Sequence, residues 1–389
     1  MAQLDWLKKI AVKIDSADNP IFKNSIADQE KFLDNLKESH NDIERSYNQY
    51  KCQMSLRGRF QTILLNICSL PIFLYYMIIG REHSFVADVS PDAVFMREGR
   101  PKNILPPSVL AKYNSIEYDP KVSLRLSKND KRFIKMIIRR YPFSWLFILK
   151  ILIKIGRYSY VLKSYNPSAI IVAAEYSFTS SILTMYCNEV WNVSHINVQH
   201  GEKLYTIWDS FFRFDVMYVW NEHYQHMLSR LKAEPKQFIV ELPSSMLFAK
   251  VDELKKKVDY CYYLASENRE QLIIIRDSLE KIRKRGKTVH IRPHPRYSDM
   301  SLINDLFDGF EIEDAKRVSI EDSIIQTWNA VAVFSTVLNQ AYLNNTSIVI
   351  DDISNSSYFK KLKEMDYICL NYKYRLLSQV LGVTKEDEV

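Results

Sequence analysis

An α/β protein built on two doubly wound parallel sheets is the fold this sequence predicts, and three observations predict it. From residue 169 onward, short apolar runs alternate with amphipathic stretches, the pattern of parallel strands joined by helices. The alternation pauses across residues 244–257, after Pro243 and through a lysine-rich stretch, and restarts at residue 258. The chain has 389 residues, 47% hydrophobic and 25% charged, which suits about two to three globular domains and excludes wholesale disorder. The expected domains are an N-terminal helical segment (1–60), a first sheet domain (61–250) and a second (251–389).

The elements follow in order. Residues 1–57 are polar, with Phe32, Leu33, Leu36, Ile43 and Tyr47 at helical spacing, so helices are expected there, for packing or for oligomerisation. Residues 61–80 carry no charge and are flanked by Arg57, Arg59 and Arg81. That length matches a membrane span, but Gln61, Asn66, Ser69 and Pro71 favour a buried or interfacial segment. Residues 139–157 combine Lys150 and Lys154 on one helical face with Trp145, Phe147 and Ile151. This suits an interfacial helix on anionic lipid, or a core helix with snorkelling lysines. Strands are expected at 169–175, 194–201, 214–220 and 237–242, with helices at 177–191 and 221–233. In the second half, strands are expected at 258–265, 287–291, 330–336 and 347–352. The helices there are expected at 269–286, closed by Gly286, and at 319–328 and 337–345.

Composition removes several functions. The eight glycines are too dispersed for a GxGxxG or a Walker phosphate loop. The five cysteines include no CxxC, and no HExxH occurs, so neither a disulfide framework nor a zinc site is expected. A reducing cytoplasm fits this cysteine usage. His223 and His226 are spaced for a metal pair, but nothing at suitable spacing completes it. No metal and no cofactor are expected. The net charge of +7 suits a phosphate-bearing partner. The basic residues are spread along the chain rather than gathered on an aromatic-interleaved stripe, so no nucleic-acid partner is expected.

Three constellations fall where strands end, the usual ligand side of such sheets. Arg292, His294, Pro295 and Arg296 follow the strand at 287–291, and both arginines can fork onto phosphate oxygens. His294 could hydrogen-bond a leaving phosphate and, if protonated, would offset the developing charge. Ser335 and Thr336 open the helix at 337–345, where backbone N–H groups are either capped or bind an anion. Asn339 follows in the first turn, and Glu313 and Asp314 fall where a ribose or base could be held. In the first half, Gln199-His200-Gly201-Glu202 lies at a strand end. His200 and Glu202 are the general-base candidates facing the second domain, and Glu175 is a weaker one. Asp351-Asp352 is read as a loop or helix-start feature.

These motifs resemble those of GT-B glycosyltransferases, over about residues 165–352, and more narrowly those of bacterial enzymes of capsule, O-antigen or lipooligosaccharide synthesis. In the sialyltransferases of this type an HP motif and a Ser-Ser/Thr motif hold the CMP part of the donor; His294-Pro295 and Ser335-Thr336 match them. The resemblance implies two Rossmann-like domains with a cleft between them. One departure stands out: the acidic-acidic-Gly motif that supplies the base in that group is replaced by Gln199-His200-Gly201-Glu202. A His-Gly turn there is similar to CDP-glycerol glycerophosphotransferases, in which the histidine is the base. The absence of DxD disfavours the metal-dependent GT-A class. The implied reaction is inverting transfer, without metal, from a nucleotide-sugar donor. CMP-sialic acid is the first choice, and a glycan or lipid-linked oligosaccharide is the acceptor. The enzyme would sit at an anionic membrane surface on the cytoplasmic side, held there by residues 143–157. A sugar-nucleotide epimerase and a non-catalytic membrane-associated assembly protein are the competing readings.

Overall fold

The computed structural model describes residues 25–57, 59–79, 90–97, 99–120, 122–248 and 256–382. Expectations for residues 1–24, for Arg81 and for most of the charged stretch before residue 256 lie outside them. The chain forms two compact units. The first holds the described residues up to His200 together with Tyr205–Leu242. The second holds Gly201–Leu204 and the described residues from Pro243 onward.

The first unit contains a six-stranded sheet of β1 (Ala93–Phe95), β2 (Ile116–Tyr118), β3 (Ala169–Val172), β4 (Ser194–Val198), β5 (Val216–Val219) and β6 (Phe238–Val240). All neighbouring strands are parallel, in the order β2-β1-β3-β4-β5-β6. Its helices are α1 (Ile26–Asp34), α2 (Asp42–Arg57), α3 (Arg59–Ile79), α4 (Pro107–Lys112), α5 (Lys128–Arg140), α6 (Trp145–Tyr165), α7 (Ser180–Tyr186) and α8 (Glu222–Arg230). One face of the sheet, including Phe95, Ile171, Ile196 and Val198, packs on Leu105, Val109 and Tyr113. A buried polar centre ties α5, α6 and α7 together: the Asp130 carboxylate accepts from the hydroxyls of Ser159 and Tyr186, both at 2.6 Å.

The segment 139–157 resolves into a turn around Pro142 followed by α6. Phe147, Ile148, Ile151, Leu152 and Ile155 on α6 are fully buried. Its apolar side is core, so the expected apolar lipid face of residues 143–157 is not offered by α6 itself, while Phe143, ahead of α6, is exposed. Lys150 is exposed, with its ammonium 5.1 Å from the Phe178 ring centre.

The second unit carries β7 (Val258–Tyr263), β8 (Val289–Arg292), β9 (Glu311–Ile312), β10 (Thr327–Ala332), β11 (Ser347–Ile350) and β12 (Tyr374–Leu376). They form a parallel sheet in the order β12-β11-β10-β7-β8-β9. Its helices are α9 (Arg269–Lys284), α10 (Met300–Leu306), α11 (Ile320–Ile325), α12 (Thr336–Leu343), α13 (Ser356–Glu364) and α14 (Leu377–Leu381). On α9, Leu272, Ile275, Leu279 and Ile282 recur on one face and pack over Tyr260, Tyr262, Val331 and Val349. Each such side chain contributes about 1.5–3 kcal/mol of burial, an upper bound against a compact unfolded chain. Asn268 caps the start of α9 in a reciprocal box with Gln271, and Gly286 follows its end with φ +78°. The α/β class and the two Rossmann-like sheets are as expected. Both sheets have six strands, because β1, β2, β9 and β12 are too short for the apolar pattern to reveal.

Candidate functional site

In the first unit the site is built at the C-terminal ends of two adjacent strands. Glu175 lies three residues beyond β3, and His200 lies two beyond β4. The Glu175 side chain is fully buried, and its Oε1 lies 3.7 Å from His200 Nδ1. Its other oxygen accepts from Asn197 Nδ2 at 2.9 Å, while Asn197 Oδ1 accepts from the backbone N–H of Ala174 at 2.6 Å. One carboxamide thus fixes both the loop that carries Glu175 and the orientation of its carboxylate. The Tyr176 ring lies edge-on to His200, 6.4 Å between centres, and its hydroxyl accepts from Arg100 at 3.2 Å. A histidine turned toward a buried carboxylate at a strand end is an arrangement suited to moving a proton.

Helix α2 braces this loop. Gln49 Nε2 donates to the carbonyls of Glu175 (3.0 Å) and Trp208 (3.2 Å). Gln53 Nε2 donates to those of Tyr176 (2.7 Å) and Trp208 (3.0 Å). Sequence reasoning missed both glutamines and Asn197. A spacing of i, i+4 between buried glutamines was the available signal, on a helix whose sequence looks solvated.

In the second unit, the residues expected to bind phosphate separate into two groups. Arg292 ends β8 and is buried. Its Nη1 donates to Glu313 Oε2 at 3.0 Å and its Nη2 to the Val318 carbonyl at 2.9 Å. Glu313 also accepts from the Ser323 hydroxyl at 2.6 Å and lies 3.5 Å from His290 Nδ1. Burial pushes the Glu313 carboxyl up, but bonds from His290, Ser323 and Arg292 outweigh it and hold it below its ordinary value. Both groups are thereby committed to each other inside the unit rather than presented to a ligand.

His294, Pro295 and Arg296 form the outward group. Pro295 and Arg296 are exposed. The His294 backbone N–H donates to Ser298 Oγ at 2.8 Å, Ser298 in turn donates to the Ala265 carbonyl, and the imidazole stacks on Tyr297 at 4.4 Å. The Arg296 backbone N–H donates to His294 Nδ1 at 3.1 Å. Burial, and then the Arg296 charge, lower the His294 pKa. Nδ1 accepting a bond places the proton of the neutral ring on Nε2. An Nε2–H donor is what the hydrogen bond to a leaving phosphate requires, and the lowered pKa works against the protonated form that would add charge to it.

Ser335 is the N-cap of α12, its hydroxyl accepting from the Val337 N–H at 3.2 Å. Thr336 Oγ1 accepts from the Glu202 N–H at 3.4 Å. Asn339 is buried. Its Nδ2 donates to Glu202 Oε1 at 2.9 Å, and its Oδ1 accepts from the Tyr372 hydroxyl at 3.0 Å. Glu202 therefore belongs to the second unit, held at the start of α12, and not to the first domain, where the sequence placed it. Gly201 permits that approach: a Cβ there would lie 3.9 Å from Thr336 Oγ1. Asp351 is a loop residue as expected, accepting from the N–H groups of Ile353 and Ser354 and from the Tyr262 hydroxyl.

No protein-family model matches the chain, and no curated protein matches it either. Solved structures do align with it. A variant of the wall teichoic acid polymerase TagF, soaked with CDPG, aligns at a TM-score of 0.43 and 11% identity over 84% of this chain and 88% of that one. UDP-GlcNAc 2-epimerase from Neisseria meningitidis, bound to UDP-GlcNAc, aligns at 0.43 and 12% over 66% of this chain and 81% of that one. UDP-N-acetylglucosamine 2-epimerase from Rickettsia bellii aligns at 0.41 and 14%, over 66% and 78%.

Proposed function

We propose that this chain is a transferase that moves a group from a nucleotide-activated donor to a hydroxyl of a glycan or lipid-linked acceptor in bacterial surface-polysaccharide synthesis. The observation that carries this reading is the pairing of His200 with the buried Glu175 at the ends of β3 and β4. With Nδ1 turned to the carboxylate, proton acceptance falls to Nε2, and Glu175 stabilises the imidazolium that forms. The acceptor oxygen attacks the donor as its proton passes to His200, and the nucleotide leaves. His294, through its Nε2–H, together with Arg296 and the α12 start at Ser335 and Thr336, would meet the charge that develops on the leaving phosphate. Arg292 and Glu313 shape that loop from within. Glu202 positions α12 rather than acting as the base.

CMP-sialic acid remains the first donor to test, with inversion at the sugar carbon and no metal. A second reading is a CDP-glycerol-type polyol-phosphate transfer. It is favoured by the nature of the base, a histidine on a carboxylate in place of an acidic-acidic-Gly motif.

The experiment is nucleotide release from CMP-sialic acid, CDP-glycerol and UDP-GlcNAc in the presence of chelator, with wild type and His200→Asn. The expected result is release from one cytidine donor, reduced by about 10²–10⁴-fold in the variant, while calorimetric affinity for the nucleotide is retained. Nucleotide binding without turnover of any donor, unchanged by His200→Asn, would support the non-catalytic reading instead.

A further inference from the structure

Helix α3 carries the longest uncharged stretch of the chain, from Phe60 onward, and the fold leaves most of it uncovered. Phe60–Ile78 is long and apolar enough to cross a membrane, but little of it is buried. Phe60 is 81% exposed, Ile67 64% and Ile78 78%, and Ile63, Leu64, Ile72, Leu74 and Tyr75 are exposed with them. Phe143, at the turn between α5 and α6, is 82% exposed. Asn66 fixes that turn onto α3. Its Nδ2 donates to the Phe143 carbonyl at 2.7 Å, and its Oδ1 accepts from the Leu146 N–H at 3.1 Å. Scattered apolar residues are ordinary on a surface, but a continuous apolar helix face is not.

A second observation is the charge beside it. Lys131 Nζ donates to the Met77 carbonyl at 3.3 Å. Two ties therefore connect α3 to the segment beginning with α5: Met77 to Lys131, and Asn66 to the turn at Phe143. They are eleven residues apart on one side and twelve on the other, so the segment from Lys131 to Phe143 runs antiparallel to α3, tied to it at these two points, while the main packing of α3 is on α6. Lys131, Lys135 and Arg139 recur every four residues along α5, on the face that Lys131 turns to α3. Lys135 and Arg139 are exposed, and the only acid on α5, Asp130, is buried in its own hydroxyl network. A greasy helix bordered by a basic stripe matches the acyl and headgroup layers of an anionic bilayer.

We propose that α3, with Phe143, docks this protein in the plane of an anionic membrane, with Lys135 and Arg139 on the lipid phosphates. The helix lies in the interface rather than crossing it. Its other side is packed along α6, where Phe73 is buried 5.5 Å from the Trp145 ring, and Thr62 and Asn66 bond to neighbouring elements of the unit. At about 32 Å long, it offers its whole length to the surface.

The test is co-sedimentation of the full chain with vesicles of phosphatidylcholine alone or with about a third phosphatidylglycerol. The wild type should bind the anionic vesicles, and high salt should weaken the binding. Ile67→Glu/Ile78→Glu and Lys135→Glu/Arg139→Glu should each weaken it by about tenfold or more, with the melting temperature unchanged because the altered side chains are exposed. Equal binding by variants and wild type, or no binding to anionic vesicles, would overturn the proposal. So would a lipid-free dimer that Ile67→Glu converts to monomer, which would make a second copy the occupant. Vesicle-bound protein that resists alkaline extraction would make α3 a span.

Discussion

Arg292 and Arg296 lie four residues apart and carry the same charge, yet the fold gives them opposite tasks. Arg292 is sealed against Glu313 and the Val318 carbonyl, whereas Arg296 is exposed beside His294. Removing one partner of a buried pair strands the other, so Arg292→Leu should cost about 3–5 kcal/mol in denaturant unfolding. Arg296→Ala should leave stability within about 0.5 kcal/mol and instead weaken calorimetric binding of nucleotide. A stable Arg292→Leu protein that had lost nucleotide affinity would return Arg292 to the ligand. From the sequence, residue type and strand-end placement identified the segment correctly. They did not resolve which arginine faces inward, because that depends on Glu313 and Ser323 arriving from β9 and α11. The same holds for Glu202. His200, two residues before it, lies in the first unit, and the bonds to Asn339 and Thr336 reveal that the chain has already passed into the second.

At the scale of elements, α2 is the surprise. Its sequence reads as a solvated helix, but Gln49 and Gln53 are buried and hold four carbonyl contacts around the Glu175 loop. Gln49→Leu/Gln53→Leu should leave those carbonyls without donors, at about 1–3 kcal/mol each. Hydrogen exchange should then rise at residues 173–178 and 207–210 and stay unchanged across β7–β12. Uniform acceleration throughout the chain would mean the glutamines support the whole first unit rather than the loop. The longer elements were legible because their periodicity runs over enough residues to be distinctive: the α9 stripe is one case, and β3 and β10 with their apolar centres are others. The shorter ones were not. β1 and β2 are three residues each, and their strand character comes from pairing with β3 and with each other. The segment 139–157 was legible as a helix, but the sequence left lipid and core open for its apolar side, since lysines at helical spacing border a lipid face and a packed face alike. The exposed apolar helix proved to be α3 instead.

For the whole molecule, the response to acid follows from one fully buried histidine. His195 on β4 holds its ring between the Tyr158 hydroxyl, 3.0 Å from Nε2, and Thr184 Oγ1, 2.8 Å from Nδ1. The Thr184 hydroxyl has a single proton and lies 2.8–3.0 Å from the carbonyls of Arg213 and Ser180, so it donates there and accepts from Nδ1–H. Burial, and then the Lys154 charge, push the His195 pKa down to about 3. The unfolded chain binds a proton near pH 6.5 that the folded chain refuses, so stability is full above that pH and falls as pH drops toward about 3. The slope from this one group is about 1.4 kcal/mol per pH unit. His294 adds a slope of the same sign, while Asp42 opposes it lower down, burial raising its carboxyl against the pull of Arg213. Comparison with His195→Phe isolates the term. Between pH 6.5 and pH 5 the wild type should lose about 2 kcal/mol more than the variant in denaturant unfolding, even though the variant is the less stable protein at pH 7. Parallel losses in the two proteins would mean that His195 takes up its proton in the folded state, and that the hydroxyl cage around it opens before the sheet does.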